Sequence, residues 1–314
     1  MNPTSDVRTD EDSSFPFIVD GRYRVESELG RGGMGIVYRG TQLSLSRPVA
    51  IKRLSTNVED DPSAVERFRR EALAASRLAH PGIVSVFDAG VDGDSPYLVM
   101  ELVDGEALDD FIARRGFVDV SVALRIAAEI ARALGAAHGA GIFHRDVKPA
   151  NVLIATDGRA RLVDFGLATL ATGAETRITR FGMLVGTAEY LAPEVARGAD
   201  PDARGDVYAL GATLYEMLTG VLPFDRPTPM ATILAHVHDP LVPPSHLVPA
   251  IDSSIDALVG SLMARDPELR PRDGHEAAFA LEALVAPRRS PVAETRHRIE
   301  RELDAALLAA LAGE

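Results

Sequence analysis

The chain has 314 residues, 46% hydrophobic and 25% charged, ordinary values that exclude a fibrous or wholly disordered protein. A formal net charge of −13 argues against a surface built to coat nucleic acid or a polybasic membrane face. There is no cysteine, so disulfides, thiolate metal sites and cysteine nucleophiles are excluded.

At roughly 100–200 residues per domain, this length accommodates two lobes or one large domain. No run reaches the roughly 18 uncharged apolar residues of a membrane helix. The longest, residues 207–224, is interrupted by Glu216 and reads as a buried helix. The first residues carry Asp6, Asp10, Glu11 and Asp12 without an apolar core, which is not a signal peptide. The expectation is a cytoplasmic protein.

In chain order, residues 1–16 read as a disordered acidic tail. Alternating apolar runs at 23–29, 35–42 and 48–53 predict three antiparallel strands. Residues 62–78 carry Val65, Phe68, Ala72 and Ala75 on one helical stripe. Two more strands are expected at 83–89 and 97–102. Beyond Gly105 the pattern turns helical, with helices predicted at 121–140, 206–218 and 255–263 and two short strand pairs between His144 and Val163. The organisation is thus a β-rich lobe, 17–102, and an α-rich lobe, 103–286. A linker is read at 287–292. Residues 293–312 form an amphipathic helix with Ile299, Leu303, Leu307 and Leu311 on one stripe.

Gly30, Gly32 and Gly35 make a G-x-G-x-x-G between two predicted strands. Glycines there let backbone N–H groups approach a polyphosphate, although a plain glycine hairpin gives the same pattern. A dinucleotide-binding turn would be followed by a helix, and here strand residues Ile36–Tyr38 follow instead. Lys52 ends the apolar run VAIK, where an ammonium must leave the core or meet an anion; alone it could be a surface lysine. Glu71 shares a helix face with Phe68 and Ala75 and is a candidate partner. FHRDVKPAN then supplies His144, Arg145, Asp146, Lys148 and Asn151, followed by Asp164-Phe165-Gly166 and Ala192-Pro193-Glu194. Of 33 Lys and Arg residues only Lys52 and Lys148 are lysines, and both fall inside these motifs.

Together these motifs resemble the protein-kinase signature set, in the family's order and spacing, over about 270 residues. HRDVKPAN and GTAEYLAPE resemble serine/threonine kinases, with Lys148 two residues after Asp146 as the mark. GRGGMG, HPGIV and DVYALG resemble the bacterial Hanks-type branch, especially actinobacterial members. The resemblance implies an α+β bilobal protein-kinase fold and an ATP-dependent enzyme that phosphorylates Ser and Thr of proteins. It implies Mg²⁺ as the metal, with Mn²⁺ as a substitute.

By that resemblance Gly30, Arg31, Gly32, Gly33 and Gly35 cover the phosphates. Lys52 holds the α- and β-phosphates and Glu71 orients Lys52. Asn151 and Asp164 ligate the metal through hard oxygens. Asp146 accepts the substrate hydroxyl, Lys148 neutralises the transferring phosphoryl and Thr187 bridges toward Asp146. Adenine lies among Leu29, Val37, Ala50 and Leu153, with Met100 as gatekeeper and Glu101 and Val103 supplying hinge backbone bonds. Asp206 and the Glu194–Arg270 pair are read as architectural. His144 is read as packing beside Phe165, and His80 and His138 as structural. Arg145 before Asp146 marks kinases whose activation segment is ordered by phosphate. Thr176 and Thr179 are favoured over Thr169 and Thr172 as acceptors, filled by trans-autophosphorylation between associated copies.

Two rival readings are a pseudokinase scaffold, which usually lacks Lys52, Asp146 or Asp164, and a small-molecule phosphotransferase, which generally lacks the APE motif and Arg270. The terminal helix has three readings: packing on the large lobe, mediating association, or lying free. The chain is either a soluble member of the family or an excised fragment.

Overall fold

The computed structural model describes residues 15–32, 35–54, 68, 70, 72–93, 95–165 and 188–285. The first lobe is a six-stranded antiparallel sheet. Its strands are β1 (Phe17–Val19), β2 (Tyr23–Gly32), β3 (Gly35–Gln42), β4 (Arg47–Leu54), β5 (Val86–Asp92) and β6 (Ser95–Glu101), in the order β1-β2-β3-β4-β6-β5. Side chains alternate across a strand, and this sheet is apolar on both faces. One face packs Tyr23, Val25, Tyr38, Val49, Ile51, Tyr97 and Val99. The other packs Ala50, Leu54, Leu98 and Met100 against Phe68 and Ala72. The period of two therefore puts Lys52 on the second face, beside Ala50 and Leu54, where the lobe meets the cleft.

The second lobe opens with β7 (Gly105–Ala107) and α1 (Leu108–Arg115), followed by α2 (Val120–Gly139). Asp119 caps α2 by accepting the Ser121 N–H, and an Ala/Leu/Ile stripe from Ala123 to Ala137 is buried. The hairpin β8 (Val152–Ala155) and β9 (Ala160–Leu162) pairs with β7 in a second, three-stranded sheet. Next come α3 (Pro193–Ala196) and α4 (Ala203–Thr219). Asp202 caps α4, which is buried nearly all round and ends at left-handed Gly220. The helices α5 (Pro229–His238), α6 (Pro244–Leu247), α7 (Ser253–Leu262) and α8 (Gly274–Val285) complete the described lobe. α8 lies hard against α2: a Cβ on Gly274 would overlap the Gly135 amide and the Ala131 carbonyl.

Three expectations need correction. The strand expected at 83–89 begins at Val86, because residues 80–83 turn, with the Ile83 N–H on the His80 carbonyl at 2.9 Å. Ile83 makes a single parallel bridge to Leu162. Between His144 and Val163 there is one strand pair, β8–β9, and the third strand of that sheet comes from β7 upstream. β1 was not foreseen; three residues are too few for a periodic signal. Residues 62–67, 69 and 71 of the helix expected at 62–78, the linker, the terminal helix and the acidic tail up to residue 14 lie outside the described residues.

Candidate active site

The loop from His144 to Asn151 is held from beneath by one buried carboxylate. Asp206, on the first turn of α4, accepts the backbone N–H groups of His144 and Arg145 at 2.7 Å each. The same carboxylate meets His138 Nε2 at 3.0 Å, and His138 Nδ1 accepts the Gly274 N–H at 3.1 Å. His138 is thus a structural bridge between α2, α4 and α8. His144 is fully buried; its Nε2 donates to the Val163 carbonyl at 2.8 Å and its ring lies 4.6 Å from that of Phe165. Both ring nitrogens are engaged, Nδ1 by the Asp146 N–H at 3.3 Å, which leaves His144 a packing role.

Above this support sits Asp146. Its Oδ2 accepts Lys148 Nζ at 2.7 Å and Asn151 Nδ2 at 2.9 Å, and Asn151 also donates to the Asp146 carbonyl at 2.8 Å. Its Oδ1 is buried and has no hydrogen-bond partner among the described residues. Lys52 is 5% exposed and bonds Asp164 Oδ2 at 2.7 Å, tying β4 of the first lobe to the second. Arg145 and Asp164 both adopt positive φ, 68° and 64°, which only a few per cent of non-glycine residues do. Two strained residues flanking one cluster mark a site held in place by its surroundings.

The slot beside this cluster is apolar. Ala50, Met100, Val37, Val103 and Leu153 belong to one hydrophobic cluster, which does not include the half-exposed Leu29. Behind Met100 lies a small cavity bounded by Ala72, Ala75, Val84, Leu98 and Phe165. The glycines of the β2–β3 hairpin divide by cause. Gly35 has φ 142° and no room for a Cβ, so the backbone itself demands glycine there. Gly30 and Gly32 have no positive φ, and no atom of the described residues lies within 4 Å of where a Cβ would sit. Their bareness serves no packing, and the open space beside them suits a ligand approaching the backbone. Arg31 between them pairs with Glu28 at 3.1 Å.

The protein kinase domain matches residues 23–281. The chain belongs to the protein kinase family. Among its curated relatives, the serine/threonine-protein kinase PknB of Mycobacterium tuberculosis is 41% identical over 259 residues, 81% of this chain. A probable serine/threonine-protein kinase of Corynebacterium efficiens is 42% identical over 276 residues, 85% of this chain. The chain spans 41% and 42% of the lengths of those two relatives. The crystal structure of the PknI kinase domain of Mycobacterium tuberculosis superposes with a TM-score of 0.70 at 31% identity, covering 87% of this chain and 99% of that one. The bilobal kinase fold inferred from the motifs is therefore the fold of this chain.

The structure gathers Lys52, Asp146, Lys148, Asn151 and Asp164 into one cleft. Glu71, Gly33, Thr187 and the activation-segment threonines Thr169, Thr172, Thr176 and Thr179 lie outside the described residues. Sequence reasoning missed the direct Lys52–Asp164 bond, because nothing in spacing tells which of several carboxylates a lysine meets. It also missed His138 as the partner of Asp206, for which a buried histidine on the apolar stripe of α2 was the only signal. Glu194 and Arg270 form a bidentate pair at 2.7 Å, with Arg270 fully buried at its side chain and stacked on Tyr208 at 4.8 Å. That pair fastens α3 to the segment before α8. Among the described residues no helix is long and apolar enough to cross a membrane.

Proposed function

We propose that the chain is a serine/threonine protein kinase that transfers the γ-phosphoryl group of ATP to hydroxyls of protein substrates. The carrying observation is the division of labour on Asp146: Oδ2 accepts from Lys148 and Asn151, while buried Oδ1 has no hydrogen-bond partner among the described residues. An acceptor oxygen fixed in direction and free of partners is what a substrate hydroxyl needs as it attacks phosphorus. Lys148, already on the same carboxylate, supplies a positive charge where the transferring oxygens would gather. Lys52 and the bare backbone at Gly30 and Gly32 would hold the remaining phosphates, and the apolar slot around Ala50, Val37 and Leu153 would take the adenine.

The side-chain oxygens of Asn151 and Asp164 suit Mg²⁺, a hard cation that keeps waters and phosphate oxygens in most of its positions and needs few protein ligands. When bound, Mg²⁺ neutralises charge on the phosphate oxygens. Asn151 is already oriented for this by its amide group on Asp146, which turns its carbonyl oxygen away from that carboxylate. In the transfer itself a bond forms from the substrate oxygen to phosphorus as the bond to the β-phosphate oxygen breaks. The hydroxyl proton passes toward Asp146 Oδ1.

Lys148, two residues past Asp146, and the serine/threonine kinases among its relatives support serine and threonine as acceptors. We assign regulation to Thr176 and Thr179, phosphorylated in trans between associated copies and read by Arg145. Because ATP is the donor, the reaction is assigned to the cytoplasm. The test is incubation with Mg²⁺ and ATP beside Asp146→Asn, with phosphosites mapped by mass spectrometry. Phosphate on Thr176 or Thr179 in the native chain and none in the variant is expected. ATP bound without any incorporation would refute turnover.

A further inference from the structure

Besides Lys52–Asp164, a second ion pair joins the strand that carries the roof of the slot to the strand beside its floor. Glu101 ends β6, where its neighbour Met100 pairs with Ala50 of the roof. Arg161 lies in the middle of β9, directly opposite Leu153 of the floor. Arg161 donates to Glu101 Oε1 at 2.6 Å. Arg161 Nε is buried and finds no partner among the described residues, so the contact to Glu101 runs through Nη1 alone. Three main-chain bonds run alongside: Glu101 N–H to the Ser85 carbonyl, Val84 N–H to the Leu162 carbonyl and Leu162 N–H to the Gly82 carbonyl, at 2.8–2.9 Å. β9 then leads through Val163 to Asp164, whose carboxylate meets Lys52.

We propose that Arg161 is a positioning residue: through Glu101 it sets the spacing between Ala50 above and Leu153 below, and so the fit of the adenine ring. The inference rests on the kinase reading given above. A flat ring gains from contact on both faces, and a radial gap of 0.5–1 Å forfeits about a quarter to a half of each contact's well depth. The ion pair itself is partly exposed, with side chains 22% and 31% accessible, so its removal should scarcely touch global stability. Affinity for adenine nucleotide and stability should therefore respond differently.

The test measures ATP binding with Mg²⁺ by calorimetry, then kcat and the KM for ATP, in the native chain, Arg161→Gln, and the exchange Glu101→Arg/Arg161→Glu. Arg161→Gln should weaken ATP binding about three- to tenfold and raise KM to match, with kcat at saturation within about twofold and an unchanged melting temperature. The exchange should recover at least half of the lost affinity on a logarithmic scale. Native binding with no change in Arg161→Gln would overturn the proposal and leave the kinase reading intact. A loss of affinity that the exchange fails to recover would also overturn it. No ATP binding by the native chain would overturn the kinase reading and the proposal with it.

Discussion

Gly30, Gly32 and Gly35 of the β2–β3 hairpin should respond to alanine in opposite ways, because the structure gives them different reasons to be glycine. At Gly35 a Cβ would overlap the Arg53 carbonyl, a backbone atom in the β3–β4 ladder where Gly35 faces Leu54. Relief requires the ladder to shift, at about 1–3 kcal/mol by analogy with overpacked sites. The φ of 142° adds about 1–3 kcal/mol of backbone strain for any L side chain. Gly35→Ala should therefore lose about 2–6 kcal/mol, a large part of the ~5–15 kcal/mol that stabilises a typical domain. Gly30→Ala and Gly32→Ala meet nothing within 4 Å and should fold as the native chain does. Urea unfolding followed by circular dichroism measures the first effect, and the KM for ATP measures the second. Both Gly30→Ala and Gly32→Ala should raise KM with unchanged urea midpoints. A Gly35→Ala midpoint within about 1 kcal/mol of native, or a Gly32→Ala loss as large as that expected of Gly35→Ala, would refute the division.

Three further outcomes follow from buried groups. Asp206→Ala strips an acceptor from the two amides of His144 and Arg145, and at about 1–3 kcal/mol for each orphaned donor should cost about 2–6 kcal/mol in chemical unfolding and abolish transfer. Arg270→Ala leaves Glu194 without its bidentate partner and should cost about 3–5 kcal/mol, read as a lowered urea midpoint; an unchanged midpoint would show the pair to be idle. His236, 1% exposed and bonded to the Tyr208 hydroxyl at 2.7 Å, is pushed down by burial to about 4. Its folded value lies below the unfolded value of 6.5, so its contribution is complete above pH 6.5 and is lost as pH falls toward 4. That loss is about 3 kcal/mol, and His236→Gln should flatten the stability difference between pH 7 and pH 4 by that amount.

Legibility in the sequence tracked how local each signal was. Strands β2, β3 and β4 were readable because alternation and glycine punctuation lie within ten residues. The helices α2 and α4 were readable from their long apolar runs, while the caps Asp119 and Asp202 that start them were not singled out. β7 was not, because three residues acquire strand character only through pairing with β8, some fifty positions away. The start of β5 was misplaced for a related reason: Ile83 and Val84 are apolar, but they pack toward Leu162 of the other lobe and do not continue the sheet. In the site, residue types at fixed spacing identified Asp146, Lys148 and Asn151, while the choice of partner for Lys52 depended on tertiary approach that no spacing encodes.

The same contrast explains where the strain sits. Arg145 and Asp164 break the ordinary preference of L residues for negative φ, and each belongs to a motif that chemistry singles out. Neither strained turn stands alone. Asp206 grips the amide of Arg145, and Lys52 grips the carboxylate of Asp164 from across the cleft. The first clamp is wholly within one lobe, built on α4 at 2% exposure, and does not depend on how the lobes approach. The second joins β4 to the loop after β9 and exists only when the lobes are close. A change in lobe spacing would thus leave Asp146 and its supporting loop in register while releasing Asp164 from Lys52. The loop that would accept a hydroxyl is fixed by the fold and carries Asn151 with it, whereas Asp164, the other group that would meet the metal, is held from across the cleft by Lys52.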